Sequence, residues 1–276
     1  MNKHIKMIGM DLDGTLLTTK KELTEYTRNV LAKAIAQGVE VLVATGRPIS
    51  AIPKELLEFP GMRYAVTANG ARVIEVATGK ILHENLLQTD IAEKVLDVFA
   101  DYDDIYEVFI DGVGYTKADC MMHLEDYFPH PSMVEYMKKT RTPVEDVKAT
   151  MLAHDKPVDK VHGIFRFEAQ RLEAERRLLK IPGIEVSGAL GNNLEANSAG
   201  ANKGIAMVKL GELLGIARED IMACGDGTND SEMLKAVGFG VAMANGDEAV
   251  KAVADYITDT NDNDGVAKAI ERFVLV

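Results

Sequence analysis

Short apolar runs alternate with amphipathic stretches through the first third of the chain. Lys6 to Met10 reads as a strand, Glu25 to Gln37 as a helix and Val39 to Ala44 as a second strand, which together make a βαβ unit. In the helix, Tyr26, Val30, Leu31 and Ala34 recur at helical spacing and predict the buried face. Thr24 is placed to cap its start and Gly38 to end it. The strand runs are apolar at successive positions, so both of their faces are expected to be covered, as in a parallel sheet flanked by helices. A further strand, Tyr64 to Thr67, leads into Asn69-Gly70.

The texture changes near Glu84. A hairpin is predicted where Asp111-Gly112 separates Tyr106 to Ile110 from Val113 to Thr116, because that dipeptide suits the tight turns that match strand twist. Helical patterns over Asp90 to Tyr102 and Ala169 to Leu179 separate strands at Val161 to Phe167, Ile184 to Ala189 and Asn193 to Asn197. From Lys203 the βα rhythm returns: helix Lys203 to Leu214, strand Ile221 to Cys224, helix Asp230 to Val237, strand Phe239 to Met243, helix Asp247 to Ala254. The expected architecture is therefore a doubly wound, mostly parallel α/β core over residues 1–83 and 196–276, interrupted by an α+β insertion over 84–195.

Length and composition agree with two folded parts: 276 residues, 47% hydrophobic and 27% charged, sit near the size at which one core divides. The 43 acidic and 31 basic residues leave a formal charge of -12. Such a chain repels nucleic acid and anionic membrane unless it gathers a basic patch. Its cations instead occur singly or in pairs such as Lys138-Lys139 and Arg176-Arg177, which read as solvated faces. An anionic ligand would need local cations in its own site. Cys120 and Cys224 stand far apart, which points to neither a disulfide framework nor a zinc site. The apolar run Met7 to Met10 reaches Asp11 too soon for a signal-peptide core, and no run approaches membrane-spanning length. These features predict a soluble, cytoplasmic protein.

The candidate chemistry lies where strands end. Asp11 and Asp13 follow the first strand, and side chains two apart on extended backbone point to one side. Carboxylates about 4 Å apart repel by roughly 4 kcal/mol at an effective dielectric of 20, so the pair calls for a proton or a cation. A plain turn after a strand is the alternative. Gly225-Asp226-Gly227-Thr228-Asn229-Asp230 follows another apolar strand, where Asn229 or Asp230 could equally be an ordinary helix cap. Thr45-Gly46-Arg47 ends the strand between them and offers a hydroxyl, backbone N–H groups and a guanidinium. Taken together, polar glycine-containing loops at the carboxyl ends of parallel strands mark the usual ligand edge of such sheets. Two acidic pairs without thiol or imidazole suit magnesium, a hard cation that prefers oxygen. Lys203, opening a helix after Gly200-Ala201-Asn202, could add a cation beside helix N–H groups, or simply face solvent.

These residues resemble the haloacid dehalogenase superfamily, in its Cof-like branch of sugar-phosphate and related phosphatases. The first motif of that family, DxDGT, stands as Asp11 to Thr15, the second as Thr45-Gly46-Arg47, the lysine motif as Lys203-Gly204 and the acidic GDxxND as Gly225 to Asp230. The Asn-Gly of the branch stands as Asn69-Gly70, and the resemblance spans nearly the whole chain in order. It implies that Asp11 attacks phosphorus, that Asp13 acts as acid and then base, and that Thr45 and Lys203 hold the phosphate. It also implies that Asp11, the Asp13 backbone carbonyl and Asp226 bind Mg2+, with Asp230 and Asn229 in support. Gly46, Arg47, Asn69 and Gly70 are candidates for the substrate side of that site. The long stretch between Asn69 and Lys203 resembles the cap of subclass IIB, which implies that specificity lies there. Ser198-Ala199 departs from the Pro-Lys frequent in relatives, which bears on substrate detail.

The expectation is a magnesium-dependent phosphatase of small phosphorylated metabolites working through an aspartyl phosphate on Asp11. A phosphomutase would use the same intermediate, and a phosphorylation-dependent regulatory protein would share the acidic pair, the Ser/Thr and the lysine. The early position of Asp11 and the long insertion argue against the regulator. Thr260 to Gly265 with Glu271 approximates a calcium loop, but Thr260 stands where the first carboxylate is required, so a helix-capping segment is expected there. His123 and His130 are expected on the surface of the insertion.

Overall fold

Met7–Met10 lies inside the first sheet, paired in parallel with Glu40–Ala44 on one side and with Ile221–Gly225 on the other. The chain is seen in a computed structural model that describes residues 4–102, 104–128, 130–188 and 191–275. Across this sheet the order is Tyr256–Ile257, Phe239–Ala242, Ile221–Gly225, Met7–Met10, Glu40–Ala44, Tyr64–Thr67, Arg72–Glu75 and Lys80–Glu84. The first six run parallel, and Arg72–Glu75 pairs antiparallel with both Tyr64–Thr67 and Lys80–Glu84. Every residue of the inner parallel strands is buried, which is why they read as unbroken apolar runs. On one face Met7, Leu42, Val66 and Ala223 pack against Ala206, Met207 and Leu210 of the helix Lys203–Leu214 and Met233 of the helix Ser231–Ala236. Each fully buried Met, Leu or Val among them contributes about 1.5–3 kcal/mol.

The helix Glu25–Ala36 packs on Glu40–Ala44 and on the helix Gly265–Phe273. Thr24 caps it by accepting from the Thr27 N–H, and Gly38 follows its end with φ +84°. Its buried face is Thr27, Val30, Leu31 and Ala34. Tyr26, expected on that face, is instead exposed and its hydroxyl donates to Glu271. The hydroxyl of Thr27 is satisfied by Asp264 at 2.9 Å, so a polar residue occupies the apolar stripe without an orphaned group.

The chain forms two compact units: Met1–Gly46, Ile52–Glu84 and Asn202–Val276 make one, Arg47–Ala51 and Asn85–Ala201 the other. The second unit is built on a six-stranded sheet in the order Ile184–Ser187, Asn193–Ser198, Lys160–Ile164, Ile105–Ile110, Val113–Lys117 and Arg141–Val144. All neighbours are antiparallel except the last pair. The hairpin turn has Asp111 at φ +49° and Gly112 at φ +76°, the left-handed pair that a two-residue connection needs. The helices Thr89–Ala100, Val147–His154 and Glu168–Leu178 bury Val95, Phe99, Met151 and Leu178 against Val108, Val161 and Leu194 of this sheet.

Several elements differ from expectation for physical reasons. Arg72–Glu75 and Lys80–Glu84 have no counterpart in the sequence pattern, because the edge strand Lys80–Glu84 is largely exposed and carries no apolar run. The strand expected to reach Phe167 stops at Ile164, where the Phe165 N–H turns to the Asn192 carbonyl. The strand expected over Ile184 to Ala189 is seen over Ile184–Ser187, and Ala189 lies outside the described residues. The helix expected over Asp247 to Ala254 shortens to Glu248–Lys251 and buries only Val250. Among the described residues no helix is long and apolar enough to cross a membrane.

Candidate active site

The parallel register sets the site. Met10 lies beside Cys224 and Val43, so Asp11, Asp226 and Thr45 all emerge just past the carboxyl ends of adjacent strands. The Asp11 N–H extends the ladder by donating to the Cys224 carbonyl at 3.0 Å. Beyond the next strand, the Asn69 N–H donates to the Thr45 carbonyl and the Thr45 N–H to the Val66 carbonyl. Asn69 is buried in the left-handed region, and Asn229 donates from its amide to the Asn69 side-chain oxygen at 3.3 Å.

Lys203 holds the centre. Its side chain is fully buried, and Nζ lies 2.7 Å from Asp11 Oδ1 and 2.6 Å from Asp230 Oδ1. The solvent-facing alternative for this lysine does not hold. The placement depends on Gly70, which has φ +98° and approaches so closely that a Cβ there would sit 2.3 Å from the Asn202 carbonyl oxygen and 2.9 Å from the Lys203 nitrogen. Asn202 in turn caps the helix by accepting from the Ile205 N–H.

Asp230 uses its second oxygen to accept from the N–H groups of Asp226 at 2.9 Å and Gly227 at 3.0 Å. That bonding folds the Gly225 to Asp230 loop around a buried carboxylate. Asp226 accepts from the Thr15 hydroxyl at 2.6 Å, and Gly14, with φ +83°, leaves room for the Asp226 carboxylate 2.3 Å from where a Cβ would stand. Ligand atoms of Asp11, Asp226 and Asp230 all fall within 4.8 Å of one another.

The electrostatics follow from crowding acids in a dry place. Burial pushes the Asp11 carboxyl up from 3.8 to about 8, against the pull of Lys203 and with help from Asp230, Asp226 and Asp13. Burial likewise lifts Asp226 to about 6, while the Thr15 hydroxyl works the other way. Burial alone would lower the Lys203 ammonium, but Asp11 and Asp230 outweigh it and hold it above its ordinary range. An all-oxygen donor set of crowded carboxyls, with Asp11 and Asp226 raised by burial, fits a hard divalent ion.

A model of the haloacid dehalogenase-like hydrolases matches residues 8–270. The chain belongs to this family. Among its relatives is a 5-amino-6-(5-phospho-D-ribitylamino)uracil phosphatase of Bacillus subtilis (strain 168), 31% identical over 98% of this chain and 96% of that protein. A solved haloacid dehalogenase-like hydrolase from B. subtilis is 30% identical, superposes with TM-score 0.86 and covers 98% of this chain and 100% of its own. A solved subclass IIB sugar phosphatase, 24% identical, shares the fold with TM-score 0.81 over 98% of this chain and 100% of its own. The mixed α/β architecture with its inserted α+β part is that of this family.

Arg47 falls in the second unit, where its guanidinium stacks 4.9 Å from the Tyr136 ring and donates to the Ala51 carbonyl at 2.9 Å. His123 and His130 are exposed. In the segment resembling a calcium loop, Asp262 accepts from Thr19, and Asp264 accepts from Thr24 and Thr27, so its carboxylates tie down the chain after Asp13. Two residues to which the sequence assigns no role stand out. Thr15 lay inside the first motif, and its role was legible only once Asp226 was placed. Lys21 pairs with Asp13 at 2.6 Å and had no sequence signal at all.

The second unit holds a buried polar cluster of its own. Glu107 accepts from Arg141 at 2.8 Å and lies 2.9 Å from His162 Nδ1, while Asn193 lies 3.0 Å from His162 Nε2 and Lys160 pairs with Glu195 at 2.5 Å. Burial would raise the Glu107 carboxyl, but Arg141 and His162 pull it down to about 2.

Proposed function

We propose that this chain is a magnesium-dependent phosphatase that cleaves small phosphate monoesters through an aspartyl phosphate on Asp11. The observation that supports this reading best is the buried Lys203 ammonium shared between Asp11 and Asp230 at the carboxyl end of the sheet. Taking an ammonium and two carboxylates out of water costs several kcal/mol per ion, and packed apolar groups of the same volume would be no less stable. The arrangement is therefore better suited to chemistry than to stability.

Asp11, Asp226 and the Asp13 backbone carbonyl would hold Mg2+, with Asp230 and Asn229 fixing the loop that carries Asp226. When bound, the ion would neutralise charge on the phosphoryl oxygens. An ammonium has three donors; two serve Asp11 and Asp230, and the third can bind a phosphoryl oxygen, as can the Thr45 hydroxyl with the Gly46 backbone. The Asp11 carboxylate attacks phosphorus, its O–P bond forms, and the ester P–O bond breaks. Asp13 gives its proton to the departing alkoxide and then takes one from the water that attacks the aspartyl phosphate. Inorganic phosphate leaves and Asp11 is restored. Phosphate-monoester hydrolysis is among the slowest uncatalysed reactions, so splitting it into two steps inside a charge-neutralising site is what the chemistry demands.

Selection of the leaving group falls to the insertion, here the 84–195 segment read as a subclass IIB cap, and its substrates are small phosphorylated metabolites. Asn69, Gly70 and Arg47 are further substrate-side candidates. The test is free-phosphate release from a panel of phosphorylated metabolites, with and without chelation of Mg2+. Asp11→Asn should abolish release while the protein stays folded. Near-normal turnover in that variant would sink the covalent mechanism, and phosphate passed to an acceptor sugar instead of water would make the chain a mutase.

A further inference from the structure

The loop after Asp13 is held more firmly than a surface turn needs. Lys21 adopts φ +65°, a left-handed conformation that costs a residue with a side chain roughly 1–2 kcal/mol. Its N–H donates to the Thr18 carbonyl at 2.8 Å, and the Thr18 N–H donates to the Glu22 carbonyl at 3.0 Å. From the far end of the chain, Asn261 donates to the Leu17 carbonyl at 3.0 Å and Asp262 accepts from both the N–H and the hydroxyl of Thr19 at 2.8 Å. Asp264 accepts from the hydroxyls of Thr24 and Thr27. The outcome of this strap is that the Lys21 side chain reaches back eight residues and its Nζ meets Asp13 Oδ1 at 2.6 Å.

As a stabilising contact the pair is worth little. Its side chains are 42% and 35% exposed, and ion pairs this wet contribute about 0–1 kcal/mol, less than or equal to the strain at Lys21. Strain held in place by surrounding bonds is characteristic of functional positions.

We propose that Lys21 is a positioning residue for Asp13: its ammonium fixes the carboxyl in the direction from which it serves the leaving oxygen. This rests on the reading of Asp13 as the acid and base. Orientation matters because proton transfer needs heavy atoms within hydrogen-bond reach, and a misplaced group loses much of its effect. The dependence on Lys21 should therefore grow with the need of the leaving group for a proton. A 4-nitrophenolate leaves without one, whereas a methoxide does not.

The experiment compares Lys21→Met and Lys21→Arg with the parent on 4-nitrophenyl phosphate and methyl phosphate, and determines the crystal structure of Lys21→Met. The expected result is a kcat loss of about tenfold or more on methyl phosphate against about twofold at most on 4-nitrophenyl phosphate. Lys21→Arg should recover most of the loss. In the crystal, the Asp13 carboxyl of Lys21→Met should turn away from its parent orientation. Equal losses on the two esters, or an Asp13 carboxyl that stays in place without Lys21, overturns the proposal. If the parent releases phosphate from neither ester, the phosphatase reading itself fails, and the crystal structure alone decides whether Lys21 positions Asp13.

Discussion

The Thr15 hydroxyl donates to Asp226 Oδ1 at 2.6 Å, joining two loops that stand 211 positions apart in the chain. It fixes which way one carboxylate oxygen points.

Thr15→Val keeps the shape of the side chain and removes that donor. Hydrogen bonds to a metal-binding carboxylate are worth about 10–100-fold in metal affinity, so the Mg2+ concentration for half-maximal activity should rise by about tenfold or more. Titration of phosphatase activity with Mg2+ checks this. An unchanged midpoint would remove Asp226 from the ligand set or Thr15 from its support.

Stability of the metal-free protein should depend on pH through Asp11. Its carboxyl stands at about 8 in the folded chain and near 3.8 ordinarily. Below the lower value both states hold the proton and nothing is lost. Between the two, the unfolded chain has released it while the folded chain keeps it, so stability falls as pH rises, and the cost is complete above the higher value. Asp226, lifted to about 6, acts in the same direction over a narrower window. Groups that do not face Asp11 cancel in a comparison with Asp11→Asn. Between about pH 5 and pH 8 the metal-free parent should lose melting temperature relative to that variant by roughly 4 °C or more. Mg2+ should close the gap, because binding needs the carboxylates deprotonated. Melting curves that shift in parallel would contradict the assignment.

The parts of this molecule legible in sequence are those with a local cause. The inner strands are buried on both faces and so read as apolar runs. The acidic loops follow them directly, and the hairpin at Asp111-Gly112 needs backbone that few other pairs adopt. What was not legible depends on partners brought from afar. Thr27 could not be placed on a buried face without Asp264 to receive its hydroxyl. Lys80–Glu84 is a strand only because Arg72–Glu75 offers it an edge. Lys21 earns notice only when the Asn261 to Asp264 strap has aimed it at Asp13. Arg47 likewise has a partner from afar, since its guanidinium lies on Tyr136.

Lys203 offers the most direct separation of chemistry from stability. Lys203→Met preserves most of the buried volume but leaves Asp11 and Asp230 facing each other without the ammonium that lies 2.7 and 2.6 Å from them. Turnover should vanish if the proposed mechanism holds, since it gives Lys203 both a phosphate-binding donor and the charge that favours the ionised Asp11. The structural cost should depend on pH. Where Asp11, raised by burial to about 8, holds its proton, no second charge faces Asp230 across the Met side chain and less is lost. Where Asp11 must ionise, its buried charge has lost the ammonium that faced it, and breaking such a pair costs about 3–5 kcal/mol. Chemical denaturation of the metal-free variant should therefore show a small deficit from the parent near about pH 5 and a deficit of about 3 kcal/mol or more near about pH 8.5. A deficit of the same size at both values would mean that Lys203 serves packing and not charge, and the phosphate-binding role assigned to it would then rest on the turnover result alone.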